Sequence, residues 1–244
     1  VSEDRTQALI AALARDAQPV RPVAALRWQI ACVAAVAAGV TGIAVAGLGL
    51  RPLGHPLMAL SSPFLWIAIG LGVCGVAGVG SALAFARPGR EVAGWVALGI
   101  SMTALVTAGL VGARLVAGSA AASEPIWSGR TEIPCIVGSL LFALPVALFA
   151  TRLAARAAPL RFGLTALVTA GGASALGTFA AHLICRTPGE WHVVVTHAVE
   201  PILGAILLAL PLYALLRRWH RITLRRGSLR NGHGAGGAPR APRS

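Results

Sequence analysis

Residues 28–50 read WQIACVAAVAAGVTGIAVAGLGL, 23 consecutive positions without a charged side chain. Wound as a helix at about 1.5 Å per residue, the run is about 34 Å long, which suffices for a hydrocarbon core of roughly 30 Å. Its apolar residues are continuous, whereas a barrel strand would alternate over about ten residues. Marking every charge outward from this stretch leaves five further runs, one within 56–86 and the others at 92–113, 133–151, 162–185 and 201–216. The last is the shortest and is expected to draw on the chain from Val193 to complete its crossing. The expected fold is therefore all-α, a polytopic membrane protein with six transmembrane helices. It divides into a cytoplasmic N-terminal segment (1–27), the six-helix bundle (28–216) and a basic, largely disordered cytoplasmic tail (217–244).

Composition agrees. Of 244 residues 56% are hydrophobic and only 12% charged, with a mean hydropathy of +0.75. A soluble domain carries about 25% charged residues, so this chain has too little polar surface for a water-facing globule. Soluble enzymes and disordered regulators are excluded, and the excess apolar surface must meet the lipid bilayer. The 21 basic residues, all Arg, against eight carboxylates give a net charge of +13. That excess would suggest nucleic acid in a soluble protein. Here the arginines fall between apolar runs, so no direct nucleic-acid contact is expected. Four cysteines in such a chain are no disulfide framework.

The arginines orient the bundle. Seventeen of the 21 lie in alternate connections. These are Arg5, Arg15, Arg21 and Arg27, then Arg87 and Arg90, then Arg152, Arg156 and Arg161, and eight from Arg217 to Arg243. The other connections hold only Arg51, Arg114, Arg130 and Arg186. Positive charge stays inside, which places both termini in the cytoplasm. The acidic opening, Glu3 and Asp4, lacks the basic start of a signal peptide, so the first span is expected to be retained. Small residues at helical spacing, Gly70, Cys74 and Gly78, and Gly171, Gly172 and Ala175, suit close helix contacts. Cys32 and Cys74 read as packing residues. Arg217–Arg226, basic with Trp219 and Ile222, is suited to lying on anionic lipid.

Chemistry gathers on the outer side. His55, Cys135, His182, Cys185, His192 and His197 fall there, with Glu124, Glu132, Glu190 and Glu200. His182 and Cys185 are three apart and would share a helix face, and Pro188-Gly189 would turn His192 and His197 back toward them. Imidazole and thiolate are preferred ligands of Zn²⁺, and Cys135 could complete such a set. Three readings stay open: interfacial histidines bonded to carbonyls and water, a transition-metal site, or a redox pair of Cys135 with Cys185. A haem held between His182 and His197 lacks a second supporting feature. No Asp, Glu or Arg falls within any of the six runs, which argues against ion-coupled transport and against catalysis. No enzyme and no required cofactor are expected; a small six-helix transporter or channel is the rival reading. At the other side Leu9, Ile10 and Leu13, among Ala8, Ala12 and Arg15, fit a short amphipathic helix ended by Pro19 and Pro22, suited to the membrane surface or to docking a soluble partner.

Taken together, the Ala-Leu-rich helix ending near Pro19-Val-Arg-Pro22, Trp127 ahead of Cys135, the run LFALPVALF at 141–149, Arg156-Ala-Ala-Pro-Leu-Arg161 and the His182/Cys185/His192/His197/Pro201 block resemble the NrsF family. These are integral-membrane negative regulators of extracytoplasmic-function sigma factors, to which the CarR-type regulators are similar. The resemblance implies an anti-sigma factor of the bacterial inner membrane. It would sequester its sigma factor through the cytoplasmic N-terminus and release it on an outer signal, metal or redox. It also implies that Cys135 and Cys185 are the family's two outer-face cysteines, and that His192, His197 and Pro201 are its block opening the last helix. His182 lies further from Cys185 than the family pattern implies, and Arg186 stands where a small residue or Pro is expected.

Overall fold

The computed structural model describes residues 3–16, 23–51, 62–118, 132–157, 159–187 and 190–232. Every element among them is helical. Helix α1 (Glu3–Asp16) opens with Glu3 and Asp4 in its first turn, where the helix dipole favours negative charge. The bundle follows as α2 (Leu26–Leu48), α3 (Pro63–Phe85), α4 (Glu91–Ala117), α5 (Glu132–Arg156) and α6 (Phe162–Ile184). The last crossing is composite: a short α7 (Glu190–Val193), a π-helical turn (Val194–Ala198) and α8 (Glu200–Gly232). Six helices are long and apolar enough to cross a membrane, the last counted over Trp191–Thr223. The 201–216 run thus gains its missing length from upstream. With six crossings, the chain enters and leaves the bundle on the same side.

Local rules set the boundaries. Pro63 sits in the first turn of α3, where its missing N–H costs nothing. Gly89, with φ +77°, makes the tight turn into α4. Pro145 and Pro211 lie inside α5 and α8, as membrane helices tolerate when neighbours satisfy the freed carbonyls.

The centre of the bundle is the pair α3 and α6, whose spanning windows are 67% and 72% buried, against 17% for α2 and for α4. Glycine makes that pairing possible. A Cβ on Gly172 would lie 2.6 Å from the Val79 nitrogen, and one on Gly75 would lie 2.9 Å from the Gly172 oxygen. On the next face, a Cβ on Gly177 would collide with the backbone of Ser139 and Ala143 in α5. Gly70 does the same work toward Ala104 and Ala108 of α4, and Cys74 packs beside it with Sγ 3.4 Å from Ser101 Oγ. Gly171 meets Ala205 only at ordinary contact distance. Cys32 is exposed on α2 instead of packing inward. Between α4 and the α6–α8 pair lies a cavity of about 490 Å³, lined by apolar side chains including Leu98, Met102, Leu105, Leu167 and Ile202.

The last helix does not stop where its charges begin. It runs on through Arg217 and Arg218 to Gly232, because 217–226 holds neither Pro nor Gly, and Arg and Leu are good helix formers. Arg217–Arg226, expected to lie on anionic lipid and to begin a largely disordered tail, thus continues the helix of the sixth span. Residues 233–244 lie outside the described residues, as do Pro19 and Pro22.

A thiol and imidazole cluster at one end of the bundle

Four elements converge where α2 and α6 end and where α5 and the sixth span begin. Cys135 stands in the first turn of α5. Helix α6 ends at Ile184, and Cys185 takes an extended conformation (φ −64°, ψ 120°) while its N–H still donates to the Ala181 carbonyl at 2.9 Å. Cys185 therefore leaves the helical face it was expected to share with His182 and turns toward α5. Its Sγ lies 3.8 Å from Cys135 Sγ and 3.2 Å from His192 Nε2. The donor atoms of Cys135, Cys185 and His192 all lie within 4.8 Å of one another.

His192 is carried on α7 and His197 on the π-helical turn. That turn is closed by Val199 N–H donating to the Val194 carbonyl at 3.1 Å. The wider loop holds one extra residue, a device common at functional sites. His197 is fully buried, its ring 5.6 Å from that of His192 and 5.0 Å from that of His182. Neither of its ring nitrogens has a hydrogen-bond partner among the described residues, and the Nδ1 atoms of His182 and His192 have none either. His182 sits one ring further out. Its Nε2 is 3.0 Å from the Phe64 carbonyl and its ring stacks on Phe64 at 6.0 Å. The structure thus brings Cys135, Cys185 and His192 together, puts His197 beside them and gives His182 to α3. Glu190 lies on α7, while His55, Glu124 and Trp127 fall outside the described residues.

The distances suit two chemistries. Two thiolates about 2.3 Å from a tetrahedral metal are about 3.8 Å apart, and an imidazole nitrogen stands slightly closer. A disulfide would need the two sulfurs to close to about 2.05 Å. Cys135 Sγ and His192 Nε2 both stand within hydrogen-bond reach of Cys185 Sγ, an arrangement that favours its thiolate. The thiolate is the form that binds metals and that attacks oxidants.

Two arginines fasten this end. The Arg51 guanidinium lies 4.1 Å over the Phe64 ring, and its backbone N–H donates to the Leu183 carbonyl at 2.8 Å. Burial lowers the Arg51 pKa from its ordinary value. Arg186, the departure from the family pattern, turns away from the cluster and donates from Nη2 to the Leu48 carbonyl at 3.0 Å. It satisfies a carbonyl at the C-terminus of α2, the end that favours a cation. Gly49 makes room, with φ +80° and Arg186 Nη2 2.5 Å from where its Cβ would sit. Gly49→Val should therefore cost about 2 kcal/mol through positive φ and lost capping, read as a lower unfolding temperature in detergent. An unchanged temperature would show that this contact is dispensable.

Glu200 is what a reading by charge-free windows misses. It lies just before the last run but is fully buried in the first turn of α8, hydrogen-bonded through Oε2 to Thr178 of α6. Its Oε1 and the Ser174 hydroxyl are buried without partners among the described residues. Only the π-helical start of the span, which draws Glu200 inward, could have revealed this, and that turn has no sequence signature of its own.

Fold and site define a polytopic helical protein with a buried thiol–imidazole cluster at the end of the bundle away from its termini. The family model described as NrsF, negative regulator of sigma F, matches residues 13–219, and the chain belongs to that family. It is thereby a negative regulator of a sigma factor. No curated protein and no solved structure matches the chain. The matched region begins at Leu13 and leaves out most of α1, where Leu9 and Ile10 are 60% and 53% exposed and Leu13 follows on the same helix.

Proposed function

We propose that the protein is an anti-sigma factor of the bacterial inner membrane, both termini in the cytoplasm, which holds an extracytoplasmic-function sigma factor through Leu9, Ile10 and Leu13 of α1. It releases that factor when the cluster at the opposite, outer end binds a transition-metal ion such as zinc or is oxidised. The observation that carries this reading is the meeting of Cys135, Cys185 and His192 from three separate elements, with donor atoms within 4.8 Å. A bond among them ties α5, α6 and the sixth span together at one end. The other end of that span leads to the compartment that α1 shares. In the metal case Cys135, Cys185 and His192 would hold the ion, which supplies cross-linking and no catalysis. His197, whose two ring nitrogens have no partner among the described residues, is placed beside the set to adjust. To move most molecules from one state to the other, the outer signal must favour release by a few kcal/mol.

The transporter reading gains Glu200 as an ionisable group inside a span. Against it, that carboxyl is closed in by Thr178, and the roomy cavity nearby is walled by apolar side chains. The test is Leu9→Asp with Ile10→Asp. Each apolar anchor is worth about 1.5–3 kcal/mol when buried in a partner. The double variant should therefore weaken sigma-factor binding about 100-fold or more and switch on a sigma-dependent reporter without inducer, at unchanged membrane level. Undiminished repression would overturn the assignment of α1.

A further inference from the structure

We infer that the cytoplasmic extension of α8 is a second, electrostatic contact for the same sigma factor, a rigid basic arm that meets an acidic protein surface. This rests on the anti-sigma reading and adds an element to it. Helix α8 spans Glu200–Gly232, about 50 Å at 1.5 Å per residue, well beyond what a bilayer core of roughly 30 Å requires. The excess lies at the end where the chain leaves the bundle, the side shared by α1.

The root of the arm is fixed. His220 Nδ1 lies 3.2 Å from the Ala155 carbonyl of α5, and its ring meets Phe162 of α6 edge-on at 5.4 Å. The Arg152 guanidinium sits 5.5 Å over Trp219. Two neighbouring helices thus hold the direction of α8 as it emerges, and no Pro or Gly interrupts it before Gly227. Arg217, Arg218 and Arg221 are exposed at this level, and the helix goes on through Arg225, Arg226 and Arg230. From Pro201 to Ser244 the sequence has no carboxylate, so nothing within that stretch neutralises the arm.

Magnitudes decide between lipid and protein. Arg225, Arg226 and Arg230 lie about 12 to 20 Å along the axis from Arg217, the first charge after the apolar run. The field of anionic headgroups falls off over about 8 Å at physiological salt. Arg217 and Arg218 can answer to headgroups, whereas the helix positions of the outer three lie beyond that range. A partner held by α1 is tethered close by, because residues 17–25 span at most about 30 Å fully extended. An acidic surface on that partner is the complement such an arm fits.

The experiment uses the full chain in nanodiscs of phosphatidylcholine alone, so that headgroup charge cannot mediate, with the purified sigma factor whose promoter the protein silences as probe. Arg225→Glu, Arg226→Glu and Arg230→Glu together should weaken binding at least tenfold at 50 mM salt and flatten its salt dependence, mainly through slower association. Lys at the same three positions should restore both. Equal affinity and an equal salt slope in the reversed variant would overturn the inference while leaving the α1 reading intact. An effect confined to discs containing phosphatidylglycerol would assign the arm to lipid and overturn it too. Absence of binding by the unaltered protein would remove the anti-sigma reading and this inference with it.

Discussion

Gly177→Leu is expected to prevent assembly of the bundle around α6. The added side chain would begin with a Cβ inside the backbone of Ser139 and Ala143. Backbone on both sides cannot yield as a flexible side chain would, so α5 and α6 must separate. Overpacking a well-filled core commonly costs 1–3 kcal/mol, and here about 3 kcal/mol or more is expected because helix axes must move. Gly39→Leu is the control, since a Cβ there meets nothing within 4 Å and should change stability by about 0.5 kcal/mol or less. Thermal unfolding in detergent reads the difference. Gly177 lies about two turns below Cys185, and Ser139 one turn beyond Cys135. Separation there should also abolish oxidative cross-linking of Cys135 to Cys185 in the protein that survives. Equal unfolding temperatures for the two variants would mean that the close approach of α5 and α6 is not what holds the bundle.

The six spans were legible in the sequence because the feature that defines them, absence of charge over a membrane thickness, is itself a sequence property. Which spans lie at the centre was not. Helices α2 and α3 have similar lengths and apolar character, yet α3 is buried and α2 is not. The difference is which small residues face a partner: Gly39, Gly42 and Gly47 of α2 meet nothing within 4 Å, whereas Gly70, Gly75 and Gly78 each meet a neighbouring helix. Spacing alone could not separate them.

The site divides in the same way. That Cys135, Cys185, His192 and His197 fall at one end follows from topology, which counting charges supplies. That His182 stands apart from Cys185 depends on where α6 ends. A spacing of three residues places two side chains together only while the helix continues through both, and the extended Cys185 breaks that condition. Glu200 was hidden for a related reason. A window bounded by charges treats each charge as a membrane edge, but a carboxyl bonded to Thr178 within a helix pair need not mark one. The Oε1 of Glu200 and the hydroxyl of Ser174 beside Gly204, without partners among the described residues, make this contact between α6 and α8 a polar seam below the histidines.

Replacing both Cys135 and Cys185 with Ser should abolish the outer response while leaving the bundle assembled. A hydroxyl is close to a thiol in size but is neither a thiolate at neutral pH nor able to form a disulfide. Metal affinity should fall by 100-fold or more, since two of three donors are lost and substitution of supporting residues alone typically costs 10–100-fold. The readout is the sigma-dependent reporter in cells given Zn²⁺ or a thiol oxidant, with membrane level followed alongside. The double variant should repress normally and fail to induce with either agent. Unchanged induction would remove the sensor role from the cluster. His192→Ala then separates the two chemistries. Its Nε2, 3.2 Å from Cys185 Sγ, is a third donor for a metal but no part of a disulfide. If the signal is a metal ion, His192→Ala should blunt induction nearly as much as the double Cys variant. If the signal is oxidation, the sulfurs 3.8 Å apart can still close without the imidazole, and induction by the oxidant should persist, slowed by the loss of a neighbour that favours the Cys185 thiolate.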